Sequence, residues 1–286
     1  MDSVRALDVV KNKRIYIPHP STFNDPYDWG VYFKSSIESE IWENASNSSI
    51  FPNLALISKP LANRDQYPPS SAILLHDDCR KAIADYHANR GLNPKQEIDR
   101  IFEPLYKKNE LAKMFIIYTI KIGMLCLTKD PRNLLMWSHY AEHHKGICLE
   151  FEFPLPNDDI DNGFTIFNEE TKRTVGNAIT LDTVEYSTKK PMPFEADNIT
   201  NDTMKLFTRQ ILTKSSDWSY EKEWRLLFSI EEKSRYLDVS EFLKCAIAGV
   251  RSEKSLWSPL KTLCDESDID FKRASLDQQV YQIRVS

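Results

Sequence analysis

The 286-residue chain reads as an α+β fold with a mixed or antiparallel β core, and three observations carry that reading. Short apolar runs of strand character, such as residues 146–153, sit beside segments of helical spacing. The helical spacing concentrates between about 32 and 120, while most strand signals lie after Ile122. With seven glycines and no Walker loop, G-x-G-x-x-G or G-x-S-x-G, the chain lacks a phosphate cradle or a nucleophile elbow. That argues against a P-loop enzyme, a Rossmann dehydrogenase and an α/β-hydrolase.

In chain order, Arg14-Ile15-Tyr16-Ile17 is a short strand that runs into Pro18-His19-Pro20-Ser21-Thr22, a stiff turn. Phe23-Asn24-Asp25-Pro26-Tyr27-Asp28-Trp29 follows, and Asn, Asp and Pro together enforce a fixed non-helical loop. From about 32 to 120 the chain is a helical insertion or layer, with helical spacing over 77–88 and 96–120. Gly123-Met124-Leu125-Cys126-Leu127-Thr128 is a buried strand, Asp130-Pro131-Arg132-Asn133 a turn, and 134–143 a short helix. Strict alternation over 146–153 suits a half-buried strand. A strand at 183–186 and a polar, helix-compatible connection over about 195–214 lead to Tyr220-Glu221-Lys222-Glu223-Trp224-Arg225-Leu226-Leu227-Phe228, where two glutamates enter an apolar strand. Beyond it the pattern predicts a helix near 240–244, a strand at 245–250, a helix near 255–263 and strands at 269–271 and 280–285. No internal repeat or low-complexity linker divides the chain, so 1–286 is read as one domain containing the helical insertion.

Composition narrows the partners. A formal charge of -5 gives no basic footprint for holding a nucleic-acid backbone by bulk electrostatics. Cys79, Cys126, Cys148, Cys245 and Cys264 are odd in number and form no CxxC, the pattern of reduced thiols in a cytoplasmic protein. No stretch approaches the roughly 18 apolar residues of a membrane span, and Met1-Asp2-Ser3-Val4-Arg5 does not open a signal peptide. The expectation is a soluble chain in the cytoplasm without a membrane partner.

Three polar clusters sit at strand ends or in tight loops, where functional side chains tend to be placed. Asn24, Asp25 and Asp28 form the first, although Asn-Asp-Pro is good turn chemistry by itself. The second runs from Met136 to Gly146. His139 and His143 are four apart and on a helix would share a face, which with Glu142 spells the H-x-x-E-H of inverted zinc peptidases. Such a site needs these residues in mid-helix, whereas Lys145-Gly146 ends this helix, so no metal is expected. The third cluster is Glu221-Lys222-Glu223-Trp224-Arg225. On a strand Glu221, Glu223 and Arg225 project together while Trp224, Leu226 and Phe228 face the core. An acid pair of this kind can stabilise a cation or hold a sugar hydroxyl; as a solvated strand edge paired to Arg225 it would do neither. Trp218, Tyr220 and Trp224 suit an aromatic-walled pocket for a planar ring, or plain core.

The series Ile15-Tyr16-Ile17, Phe23-Asn24-Asp25-Pro26-Tyr27-Asp28, Cys126-Leu127-Thr128, Met136-Trp137-Ser138-His139-Tyr140 with His144-Lys145-Gly146, and Trp218-Ser219-Tyr220-Glu221-Lys222-Glu223-Trp224-Arg225 resembles the bacterial domain-of-unknown-function 2971 family, over about 10–250. In that family's motif the histidine ahead of Lys-Gly corresponds to His144, which leaves His143 and the zinc pattern outside it. Family members usually begin with a further strand that this chain starts too late to include.

More distantly, the arrangement is similar to the ADP-ribosyltransferase superfamily. That resemblance implies an ADP-ribosyltransferase-like fold with NAD, a small-molecule dinucleotide, as substrate. Carried over, Thr128 ends the middle strand, Tyr140 or Trp137 stacks on nicotinamide, and Glu221 and Glu223 are the paired acids. The superfamily's early NAD-holding residue has no counterpart, His19 or Asn24 being the substitutes at hand. Breaking the nicotinamide–ribose bond builds an oxocarbenium-like centre, which the resemblance assigns to Glu223, with Glu221 orienting the acceptor. Arg225 would hold a phosphate or neutralise the pair. The implied catalytic set is thus Glu223, Glu221 and Tyr140, and the implied dinucleotide contacts are Thr128, Trp137, His139, Asn24, Asp25 and Arg225. The implied function is an NAD-dependent ADP-ribosyltransferase or NAD glycohydrolase of toxin or phage-defence type. A non-catalytic sensor or interaction module, and a metal-dependent hydrolase or nuclease using His139 and His144, stay open beside it.

Overall fold

The computed structural model describes residues 1–25, 27–28, 33–48, 77–88, 93–153, 166–168, 171, 173–191, 194–198, 200–230 and 235–286. Among them lie eight α-helices and fourteen strands. One sheet has six strands in the order β1 (Arg14–Tyr16), β11 (Tyr236–Asp238), β5 (Ile166–Phe167), β6 (Thr174–Thr183), β10 (Glu223–Ile230), β3 (Ile122–Thr128), with every neighbour antiparallel. A second has four, in the order β14 (Ile283–Val285), β13 (Asp270–Leu276), β12 (Leu243–Ala248), β4 (Ile147–Phe151). Its one parallel pair, β12 with β13, is joined by helix α8 (Lys254–Glu266), as a parallel pair requires a long crossover. Two short parallel pairs complete the strands, β2 (Phe33–Lys34) with β8 (Phe194–Glu195) and β7 (Glu185–Ser187) with β9 (Thr213–Ser215). The chain is therefore α+β with a mixed β content.

Helix α1 (Ser3–Asn12) starts where the Asp2 carboxylate accepts the Arg5 N–H at 2.9 Å and stops at Lys13, which turns left-handed. Helices α2 (Glu38–Ser46), α3 (Asp77–His87), α4 (Pro94–Lys108) and α5 (Glu110–Lys121) occupy the stretch read as helical. Residues 49–76 and 89–92 of that stretch lie outside the described residues, as do Pro26 and Trp29 of the early loop. The single helix predicted over 96–120 is two. Asn109 is extended, and its side chain caps the new helix by accepting the Leu111 N–H at 3.0 Å. Helices α6 (Leu134–Tyr140) and α7 (Asn201–Ile211) follow.

Both faces of β10 are covered. Leu227, with Ile122 and Met124 of β3, packs under α2 to α5 in a core that includes Ile98, Phe102 and Ile116. Leu226, Phe228 and Ile230 join Val9 and Val10 of α1, Leu260 of α8 and Ala246 of β12 in a second core. Each fully buried aliphatic or aromatic side chain contributes about 1.5–3 kcal/mol.

Two sequence expectations need correction, and one strand was not anticipated. In place of the helix near 240–244, a tight turn follows β11, held by the Asp238 carboxylate on the Ser240 N–H at 2.8 Å, and Leu243 and Lys244 already belong to β12. Residues 174–183, which carry no clear apolar alternation, form the ten-residue strand β6. The helix expected over 134–143 ends at Tyr140, because Glu142, His143 and His144 all take left-handed backbone angles. Among the described residues, no helix is long and apolar enough to cross a membrane.

Candidate functional site

The site forms where β10 begins. A 3-10 turn over Ser216–Glu221 delivers Glu221, and Lys222 at its end is left-handed, with φ of 47°, so the strand starts only at Glu223. Glu221 is therefore not on the strand as expected. The left-handed Lys222 instead turns both neighbouring glutamates inward while its own side chain stays outside, 3.5 Å from Asp130. The end of β3 and the loop after it pin this turn: Thr128 Oγ1 donates to the Glu221 carbonyl at 2.7 Å, and Asn133 Nδ2 to the Tyr220 carbonyl at 2.6 Å. Asn133 also caps α6 through its Oδ1, so one residue fixes the helix that carries Tyr140 and the turn that carries Glu221.

Inside lies a buried ionic cluster. Lys214 of β9 places its Nζ 2.7 Å from Glu221 Oε2, 3.1 Å from Glu223 Oε2 and 3.4 Å from Asp28 Oδ2. Arg225, fully buried, gives Nε to Glu223 Oε1 at 2.8 Å, one terminal nitrogen to Asp28 Oδ1 at 2.5 Å and the other to the Ile211 carbonyl at 2.5 Å. The Tyr140 hydroxyl donates to Glu221 Oε1 at 2.6 Å and receives a hydrogen bond from Asn24. The Tyr186 hydroxyl accepts the Glu223 N–H at 2.8 Å. Glu221 and Glu223 are only 3 % and 4 % exposed, so they are not a solvated strand edge.

Burial and charge set the proton affinities. Burial works against an ionised Glu223, but Arg225 and Lys214 win and hold its carboxyl below the usual range. For Asp28 burial wins, and its carboxyl is raised despite Arg225 and Lys214. Burial alone would lower Lys214; Glu223, Asp28 and Glu221 reverse this and raise it. Tyr140 is pushed up by burial and by the Glu221 carboxylate its hydroxyl serves, so it is a firm hydrogen-bond donor at neutral pH.

Beside the cluster lies a cleft of about 540 Å³. It wraps the free edge of β3: Leu125 and Leu127 line it from one face of that strand, Cys126 and Thr128 from the other. The opposite wall includes Leu149 and Phe151 of β4, the outer strand of the four-stranded sheet, and Trp137 and Tyr140 stand at the α6 side. Cys126 is open to the cleft yet ringed by protein; that burial and the adjacent Glu223 charge push its thiol well above the ordinary range. Tyr140, Thr128 and Cys126 thus separate the cleft from the acids.

The structure gathers Glu221, Glu223, Tyr140, Thr128, Arg225 and Asn24 at one place. Trp137 lines the cleft with its indole N–H on the Pro131 carbonyl at 2.6 Å. His139 is exposed, its ring 6.2 Å from that of Tyr220, at the periphery. Asp25 serves the loop, accepting the Tyr27 N–H at 2.8 Å, and Arg225 is too deeply enclosed to meet a ligand phosphate. His19 is no substitute NAD-holding residue: it is buried, with Nδ1 on the Ser21 N–H and Nε2 on the Thr119 carbonyl.

The pair His139 and His143 does not share a helical face, since the helix has ended before His143, and among the described residues no group of three His, Cys, Asp or Glu is placed to hold a metal. His144-Lys145-Gly146 acts through its backbone. The His144 carbonyl accepts the Arg251 N–H at 2.9 Å, and a Cβ on Gly249 would stand 2.3 Å from that same oxygen.

Sequence reasoning missed Lys214, Tyr186 and Cys126 and gave Asp28 no role. One signal was available: three acids cannot be buried on Arg225 alone, so a second cation had to come from nearby, and Lys214 precedes Glu221 by seven residues.

Residues 136–226 match the model of a family described as protein of unknown function (DUF2971). The matched segment runs from α6 to Leu226 and so contains Tyr140, Lys214, Glu221, Glu223 and Arg225; the early loop with Asn24 and Asp28 lies outside it. Neither the curated proteins nor the solved structures contain a match to the chain.

Proposed function

We propose that the cluster behind Tyr140 is the reaction centre of an NAD-consuming transferase or glycohydrolase with an ADP-ribosyltransferase-like fold, acting as a toxin or phage-defence effector. The charge count carries the reading. Asp28, Glu221 and Glu223 face Lys214 and Arg225, so the ionised cluster has one more negative than positive charge at the wall of a ligand-sized cleft. The pyridinium of NAD and the oxocarbenium-like centre formed as it departs are both cationic, and a low-dielectric surrounding strengthens their attraction to that excess. The C1′–N bond breaks with its electron pair moving to the ring nitrogen, and water or an acceptor hydroxyl bonds to C1′ as its proton leaves.

The geometry favours Glu221 over Glu223 as the acid that meets the ribose. Glu221 Oε1 is held from the cleft side by the Tyr140 hydroxyl, the position a ribose hydroxyl would take, whereas Glu223 lies deeper on Arg225 and Lys214. Access requires Tyr140 to swing aside, which leaves its ring free to stack on nicotinamide. Incubation with NAD tests this: the wild type releases nicotinamide, and Glu221→Gln does not while keeping a cooperative thermal transition. A folded wild type that releases none overturns the reading.

One observation favours the non-catalytic module instead: all four carboxylate oxygens of Glu221 and Glu223 already have partners. On that reading the network is a keystone joining the early loop, β9 and β10, and Glu221→Gln changes stability with no NAD turnover to lose.

A further inference from the structure

The cleft has a second chemistry that the acid cluster does not use. Its apolar walls include Leu125, Leu127, Leu149, Phe151, Phe153 and Trp224. Lys129 is the one lysine or arginine among its lining residues, and its ammonium lies 3.9 Å from the centroid of the Trp224 ring. The neighbouring charges are already matched. Asp130 takes Arg132 at 3.2 Å and Lys222 at 3.5 Å, and Glu150 takes Lys272 at 3.9 Å. The Met1 ammonium, also at the wall, is bound by the Tyr140 and Ile147 carbonyls. Among the described residues, Lys129 has no carboxylate partner.

We infer that the cleft binds a small amphipathic anion, an apolar chain or ring system bearing one carboxylate or similar head, with the apolar body between β3 and β4 and the head on Lys129. Two complementarities point to it. Apolar walls gain about 25 cal/mol per Å² of apolar surface they dehydrate, and a cleft of about 540 Å³ is in the range that encloses such a ligand. The lone cation at the lip, drawn over an indole rather than onto an acid, supplies the charge that fixes orientation. The inference does not rest on the NAD reading, since it uses none of Asp28, Lys214, Glu221 or Glu223.

Calorimetric titration of the full chain with decanoate and with 1-decanol, both below their aggregation limits, tests it. Saturable decanoate binding is expected, with decanol at least about tenfold weaker, the factor that corresponds to 1.4 kcal/mol. Lys129→Met should bring decanoate down to the decanol level and Lys129→Arg should restore most of the difference. Leu149→Trp, which fills the apolar end, should weaken both ligands. Absence of saturable decanoate binding, equal affinity for acid and alcohol in the wild type, or unchanged decanoate affinity in a folded Lys129→Met overturns the inference. NAD turnover by the same preparations reports on the other reading separately.

Discussion

At the start of β10 the two faces of the strand solve burial in opposite ways, before Leu227 returns the second face to an apolar core. Trp224, Leu226, Phe228 and Ile230 turn to the second core, where contact and dehydration suffice and no partner has to be specified. Glu223 and Arg225 turn to the other face, where each charge needs named partners at hydrogen-bond distance from β9, from the early loop and from the end of α7. Removing charges from water costs several kcal/mol per ion and is recovered only when the partners are complete, so this face adds little net stability over an apolar one. What it adds is position. Asp28, Lys214 and Glu221 come from three separate stretches of chain and can satisfy one another in few arrangements.

The comparison predicts unequal responses to truncation. Arg225→Met leaves three buried acids with Lys214 alone and should cost about 3–5 kcal/mol or abolish folding, read by urea denaturation. Glu223→Leu combined with Arg225→Met should cost clearly less than the sum of the single changes, because the pair leaves together. On the apolar face Leu226→Ala should cost about 3 kcal/mol through transfer and cavity terms. Its effect should add to that of a distant core substitution without coupling to Lys214. If Leu226→Ala and Arg225→Met prove interchangeable in size and coupling, the contrast between the faces fails.

The same contrast explains how much was legible in the sequence. The β10 and β3 strands were readable because an apolar run with turn residues at its ends has one sensible fate, and so was the general α+β class. The helix at 240–244 was misread because the short link after β11 is decided by a local Asp238–Ser240 bond rather than by periodicity, and Leu243 and Lys244 already belong to β12. Tyr140 and Glu221 were both named from the sequence, whereas Lys214 could be reached only through the need for a second cation. Its partners Asp28 and Glu223 are 186 and nine residues away, and no local spacing rule encodes such a contact. Left-handed Lys222 was equally hidden, since lysine carries no preference for that conformation, and it moves Glu221 off the strand.

Two acids in one cluster should respond to pH in opposite directions. Glu223 is lowered from its ordinary 4.5, so its contribution to stability is present above that value and is lost as pH falls through the lower folded value. Asp28 is raised from its ordinary 3.8; its contribution is full below 3.8 and is lost as pH rises through the higher folded value. Asp28→Asn removes only the second effect. The stability difference between this variant and the wild type should therefore shift in the variant's favour as pH rises from 4, measured by urea titrations at several pH values. A difference independent of pH would show that Asp28 is not raised.

The smallest effect is expected at the seam between the cluster and the cleft. Tyr140→Phe removes one hydroxyl from Glu221 while Lys214 continues to hold the other oxygen, and Tyr140 is itself 39 % exposed, so water can take the vacated place. The loss should be about 1 kcal/mol, near the ordinary value for one hydrogen bond. If the network is only a keystone, that small loss is the whole result. If Glu221 meets a ligand from the cleft, the vacated oxygen should change ligand affinity as well, so NAD binding by Tyr140→Phe measured against wild type separates the two. A loss approaching that of Arg225→Met would instead place Tyr140 among the buried charges' obligatory partners and move the boundary between the faces to α6.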